Sequence, residues 1–389
     1  MTQLSPFPAY VVRPEWAPRV VSQMHDALTP EERAAIMAAN PDSYLHVTRR
    51  PAEASVLDEP HGAEALRRLM DADAFRSFPK PALYLYRLDS PGRSQTGVVA
   101  EVPVRAFAAG EVRGHEAVES ERVAALVQHF EEVPARSDLV ALMFRHDPEV
   151  SDALEACASD TPILEIERDR GVAQTVWRLA DDEIAAAIAK RLDDRPLYIT
   201  DGHHRVAASV EAWERSGRPE EAGVLCVLFP DAELRALAFD RRVTGPLPEG
   251  VGDRIGAQFA VEEAAVPPRE PGAFGLYLEG RWLRLEPKER SRVPGAEGLD
   301  VARLHREVLA PLFGIDGLGD PRLEVASELV PTEELTRRCD GDGGALFVLR
   351  APSIEELVEV ADRGEVMAAK STYFDPKPRS GVFVRLIEA

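Results

Sequence analysis

The chain has 389 residues, with 46 Lys and Arg against 67 Asp and Glu, for a formal net charge of −21. That length suits two domains better than one, and 45% hydrophobic with 29% charged residues is enough apolar material for a sizeable core. A field this negative excludes general nucleic-acid binding and disfavours anionic membrane surfaces, while a local basic pocket remains open to a small anion.

The opening stretch, MTQLSPFPAYVVRP, has no basic start followed by a long apolar run, so no signal peptide is expected. No apolar stretch reaches the roughly 18 to 20 residues needed to span a bilayer. Cys157, Cys226 and Cys339 lie far apart and form neither a CxxC pair nor a zinc spacing, which fits a reducing compartment. A soluble cytoplasmic protein, without membrane or nucleic-acid partners, is the expectation.

Strand-like and helix-like segments then alternate. Residues 82–88 and 97–104 read as strands and 120–133 as an amphipathic helix. Strands are predicted at 139–144, 163–166 and 173–179, and a helix capped by an aspartate at 181–192. A short buried strand at 197–200 leads into a helix at 203–215, and strands follow at 223–229 and 237–243. Pro- and Gly-rich stretches at 244–253 and 266–275 read as linkers. A hairpin, LYLEGRWLRL, a helix around 301–312 and a ββ or αβ tail complete the chain. The expected organisation is a core domain over 1–244 and a C-terminal α+β part over 245–389, with a soft boundary that also allows one elaborated fold. The fold class is mixed α/β, a mixed-sheet core with a strand–turn–helix junction at its centre.

That junction reads DGHHR, Asp201 to Arg205. Val206, Val210 and Trp213 fall on one helical face, so His203, His204 and Arg205 occupy the first turn of a helix that follows a strand. Backbone N–H groups and the positive dipole end lie there, and Asp201 can cap them. This is an anion site in outline, with Gly202 for the turn, Arg205 as a fixed cation and imidazoles that donate or shuttle protons. The same residues also suit an ordinary strand-to-helix turn with solvated histidines. Adjacent histidines point apart on a helix, which argues against a zinc site built on His203 and His204 alone.

Two further stretches carry chemistry. Arg113, His115 and Glu116 lie between a strand and a helix, and a histidine beside a carboxylate suits proton transfer or metal ligation. The pattern is not HExxH, because Glu119 stands four residues after His115, and an acidic helix start is the simpler account. GEVMAAKSTYFDPK, residues 364–377, approaches the P-loop pattern, with Ala369 where a glycine belongs. Tyr373, Phe374, Pro376 and Pro378 forbid the helix that a P-loop requires. A loop with Lys370, Ser371, Thr372 and Lys377 suits either phosphate or a solvated surface turn. No GxGxxG follows a strand and there is no GxSxG elbow.

With these motifs in order, the chain resembles the bacterial and archaeal family catalogued as domain of unknown function 1015. DGHHR, the basic residue before His-Glu, the Lys-Ser-Thr signature, and an NPxSxLHV stretch at Asn40, Pro41, Ser43, Leu45, His46 and Val47 carry the resemblance over nearly the whole chain. It departs from the pattern at Met24–Ala27, where only Asp26 is kept. It departs again at Phe239-Asp240-Arg241-Arg242, where the family carries Pro-Thr-His-Arg, and at Ala368 and Ala369, which replace prolines. These departures fit a divergent member with an altered substrate.

The DGHHR turn is in addition similar to the phosphate-binding turn of the ParB and sulfiredoxin-like fold, which includes an ADP-dependent kinase of free serine. That resemblance implies a nucleotide (ATP, ADP or CTP) with Mg²⁺, and phosphoryl transfer to or from a small hydroxylated metabolite such as serine. It implies phosphate binding by Gly202, His203, Arg205, Arg113, Lys370, Ser371, Thr372 and Lys377. His204 would bind phosphate or move a proton, Asp201 would bind Mg²⁺ or act as base, and Glu116 with His115 would activate the acceptor. The alternative it implies is a nucleotide-binding regulator, a ParB-like switch without small-molecule turnover.

Overall fold

The computed structural model describes residues 4–49, 60–169, 171–179, 181–193, 195–288 and 293–387. They pack as two compact units. The first takes Met1–Gly114, Val118–Leu234 and Pro376–Ala389, and the second takes His115–Ala117 and Arg235–Asp375. The class is mixed α/β, as expected. The packing divide at 234/235 precedes the composition shift at 245, and residues from 376 onward belong to the first unit.

The first unit is organised by an eight-stranded mixed sheet. Its order is Val112–Arg113, Leu197–Asp201, Val140–Phe144, Gly223–Pro230, Arg93–Pro103, Tyr84–Ser90, Val172–Arg178 and Leu164–Asp169. Leu197–Asp201 runs parallel to Val112–Arg113 and antiparallel to Val140–Phe144, which is itself parallel to Gly223–Pro230. The remaining pairs are antiparallel. The central strands are buried on both faces, which is why VALMF and GVLCVLFP read as unbroken apolar runs. A second, antiparallel sheet joins Phe75–Ala82, Phe7–Val12, Phe383–Leu386 and Ala135–Arg136.

The helix His203–Arg215 lies where the sequence places it. Val206 is part of the core, and Val210 and Trp213 pack against it. The predicted face is therefore the buried one. Its other side meets the helix Ser120–Glu132 through Val123, Leu126, Val127 and Ala208. Asp181 caps Asp182–Asp193 as expected, accepting from the N–H groups of Glu183 at 2.8 Å and Ile184 at 3.1 Å.

The second unit is built on a six-stranded antiparallel sheet ordered Phe259–Ala264, Arg281–Pro287, Phe274–Leu278, Ala345–Val348, Phe239–Val243 and Leu323–Ser327. LYLEGRWLRL forms its expected hairpin, with Glu279 and Gly280 both left-handed at φ 49° and 78°. Three expectations change. The strand at 237–243 divides at Ala238 into Ala236–Leu237, which pairs with Tyr373–Phe374, and Phe239–Val243 in the large sheet. The stretch 244–253 is only partly linker, because Val251–Gln258 is a helix that buries Val251 and Ile255, four apart on one face. The helix around 301–312 is Asp300–Leu304, a π segment His305–Leu309 and Ala310–Phe313. Pro311 lacks the N–H of a regular helix, and the Ala310 N–H reaches back to the His305 carbonyl.

Candidate functional site

In the first unit the DGHHR turn is built around Gly202. The strand ends at Asp201, Gly202 adopts φ 102° and ψ 24°, and the helix begins at His203. A side chain at 202 would place its Cβ 3.0 Å from the Arg205 Nη2, so only glycine permits both the left-handed turn and the close guanidinium. His203, His204 and Arg205 occupy the first turn, whose N–H groups lie outside the helix's own ladder.

Asp201 is not a cap, contrary to expectation. The helix start has no side-chain cap hydrogen bond. The Asp201 carboxylate instead accepts from the Arg205 Nη2 at 2.5 Å through Oδ2 and from the Lys377 ammonium through Oδ1. The Arg205 Nη1 also donates to the Leu139 carbonyl at 2.6 Å. Two cations on one buried carboxylate leave the cluster with a net charge of +1 beside a helix N-terminus, an environment that favours an anion. Each Asp201 oxygen is engaged by one cation. Among the described residues no group of three or more His, Cys, Asp or Glu is arranged to hold a metal ion.

His203 is buried, and its ring lies under Gly114, where an added Cβ would come within 3.1 Å of the imidazole. His204 has a structural partner that sequence reasoning missed. The Glu119 N–H, at the start of Ser120–Glu132, donates to its Nε2 at 3.0 Å. For this bond the His204 Nε2 acts as an acceptor. Arg113 lies on the strand beside Leu197–Asp201, its guanidinium 6.0 Å from the centre of the Tyr198 ring.

In the second unit the structure brings the His-Glu segment to the C-terminal signature. Glu116 forms a parallel bridge with Met367, and the Met367 N–H donates to the His115 carbonyl at 2.8 Å. His115 is buried. Residues 369–372 form a turn and no helix follows, in line with the rejection of a P-loop. Lys370 is left-handed at φ 56°, and its carbonyl accepts from the Arg241 Nη2 at 2.7 Å. Ser371 is buried and its hydroxyl donates to the Ala368 carbonyl at 2.5 Å. Thr372 is half-buried ahead of Tyr373–Phe374, and Lys377 belongs to the first unit.

The family model described as "Protein of unknown function (DUF1015)" matches residues 4–302. The chain belongs to that family. No curated protein matches this DUF1015 member. Among solved structures it is similar to a free serine kinase in complex with AMP, at 16% identity over 72% of this chain and 86% of that one, with a TM-score of 0.37. It is similar to a conserved hypothetical protein from Pyrococcus furiosus, at 15% identity over 72% and 90%, with a TM-score of 0.34. A C-terminally truncated SbnI from Staphylococcus aureus shares 11% identity over 72% and 84%, with a TM-score of 0.37. Likenesses this distant carry no weight below. No helix among the described residues of this DUF1015 member is long and apolar enough to cross a membrane.

Proposed function

We propose that this DUF1015 protein catalyses nucleotide-dependent phosphoryl transfer to or from a small hydroxylated metabolite, with serine or a related amino acid as the acceptor class. The observation that carries the reading is the left-handed Gly202 turn, which sets a helix N-terminus beside the Asp201–Arg205–Lys377 cluster of net positive charge. Such a site grips a phosphate group and offsets the charge that develops on it during transfer. Gly202 and His203 contribute through the backbone of the turn, Arg205 and Lys377 through charge. Arg113, Lys370, Ser371 and Thr372 are proposed as further phosphate contacts. Glu116, with His115 beside it, is the proposed base, taking the proton of the acceptor hydroxyl as the hydroxyl oxygen bonds to the terminal phosphorus and the bond from that phosphorus to the bridging oxygen breaks, releasing the shortened nucleotide. His204 is proposed to orient this machinery through Glu119. The nucleotide is ATP, ADP or CTP, with Mg²⁺ as the companion of its phosphates.

The test is phosphorus NMR of the full chain with Mg²⁺, each nucleotide in turn and a pool of amino and hydroxy acids. A new phosphomonoester signal, absent with Glu116→Gln while nucleotide affinity is kept, is the expected result. Nucleotide binding without any new phosphorus signal would replace the enzyme with a nucleotide-binding regulator. Neither binding nor turnover would remove the phosphotransfer reading.

A further inference from the structure

The strand Phe239–Val243 carries two consecutive buried arginines, and only one of them has a carboxylate partner. Arg242 is paired with Glu324 at 2.9 Å and with Asp342. Asp240, on the same strand, is held by a bidentate bond from Arg269 at 2.8 and 2.7 Å. Arg241 is 2% exposed, yet among the described residues no carboxylate lies within ion-pair distance of it. Its Nη1 donates to the Phe239 carbonyl at 3.0 Å and its Nη2 to the Lys370 carbonyl at 2.7 Å. Burial outweighs the neighbouring Asp240 and lowers the Arg241 pKa to about 10. A buried cation held only by neutral carbonyls is short of one negative charge.

The surroundings are suited to supplying that charge from a ligand. Phe239 and Arg241 are two apart on a strand and share a face. The Lys370 ammonium lies 5.6 Å from the centre of the Phe239 ring, which places a second cation on that side. Phe239 and Ser371 line a cleft of the second unit together with Leu299, Val301 and Leu349. The left-handed Lys370 turns the loop so that its carbonyl meets Arg241.

We propose that Arg241, Lys370 and Ser371 form a subsite for an oxyanion, phosphate or carboxylate, of a small metabolite whose body occupies the cleft beside Phe239. Treating that metabolite as the acceptor rests on the phosphotransfer reading; the oxyanion site itself does not. The recognition proposed is that of one anion by a guanidinium and an ammonium, as in other charge-assisted recognition.

The test is amide hydrogen exchange of the full chain with added sulfate, which stands in for phosphate, and with malonate, which stands in for carboxylate. Slower exchange over residues 368–373 is expected with at least one of them, and the more effective probe identifies the source. Arg241→Gln should raise the concentration needed about 10- to 100-fold. Arg241→His should bind sulfate only below the ordinary imidazole value of about 6.5, since the burial that lowers the arginine lowers an imidazole too, whereas the wild type stays flat. A merely structural arginine would show no such pH profile. If the Arg241 variants do not fold, the wild-type protection and its loss in Lys370→Met, an exposed position, decide the matter. No protection at 368–373 in the wild type, or protection unchanged by these substitutions, overturns the subsite. Protection there without any phosphotransfer in the NMR experiment would remove the enzyme reading and leave this subsite standing.

Discussion

Asp201→Asn removes the single negative charge that two cations share. The side chains of Asp201 and Arg205 are each 10% exposed, and that of Lys377 is 17% exposed. Breaking a buried ion pair from one side costs about 3–5 kcal/mol, because the other charge stays behind unpaired. Here Arg205 keeps the Leu139 carbonyl, and Lys377 is the most exposed of the three, so the lower end applies, about 3 kcal/mol. For a unit of this size that is a fall of about 6–12 °C in the melting temperature. Lys377→Met should lose at most about 1 kcal/mol, since Asp201 then retains its Arg205 partner. Asp201→Asn combined with Arg205→Met removes both members, and should be less harmful than the sum by about 1.5 kcal/mol or more. The assay is thermal and urea unfolding of five proteins: the wild type, the single variants Asp201→Asn, Arg205→Met and Lys377→Met, and the double variant. A fall below about 2 °C for Asp201→Asn, or strict additivity in the double variant, would refute the clamp. Anion affinity serves as the second readout. The substitution takes the cluster from +1 to +2, so binding at low salt should hold or strengthen while stability drops.

Three further outcomes are expected. Gly202→Ala forces a side chain into φ 102° and against the Arg205 guanidinium, and should lose about 1–3 kcal/mol by urea unfolding; no loss would mean that the turn can relax. His204→Ala deprives the Glu119 N–H of its acceptor and should lose about 0.5–1.5 kcal/mol, with the greatest gain in hydrogen exchange at the start of Ser120–Glu132; uniform exchange would contradict it. Arg322 and its N–H hold the Asp320 carboxyl down to about 2, below its ordinary 3.8. A lowered folded value stabilises above the unfolded one and is lost as pH falls through the folded one. The melting gap between wild type and Asp320→Asn should therefore be full at pH 7 and close between about pH 4 and pH 2, and a gap constant with pH would rule this out.

The strand–turn–helix junction was legible because its signals are local. An apolar run, Asp-Gly and a 3.6-residue apolar stripe define Leu197–Asp201 and His203–Arg215 without reference to anything distant. The hairpin with Glu279-Gly280 and the rejection of a P-loop at 370–372 rest on equally local turn chemistry. What sequence could not supply are partners far along the chain. Asp201 reads as a cap by position, and only the fold brings Lys377 to its other oxygen. Arg241 and Arg242 stood out in the sequence only as a departure from the family pattern, and nothing local marked both as buried, since a buried strand rarely carries two arginines. The one hint was that Asp240-Arg241-Arg242 lies between apolar residues, with Phe239 before and Val243 after, in a segment otherwise patterned as a strand. The split at Ala238 was equally hidden, because pairing with Tyr373–Phe374 depends on residues more than a hundred positions away.

The antiparallel sheet that joins Phe7–Val12 to Phe383–Leu386 has a consequence for how the nascent chain is made. Tyr10 faces Val384, so this strand is completed only by one that leaves the ribosome about 370 residues later. At ~5–20 residues per second the interval is about 20–75 s. Phe75–Ala82 can cover one flank of Phe7–Val12 early, but the other flank exposes unpaired backbone groups until Phe383–Leu386 has emerged. During that time the exposed edge is a template for neighbouring nascent chains, and crowded expression favours exchange of this strand between copies. The demand for a chaperone is thus set by the order in which the strands are translated.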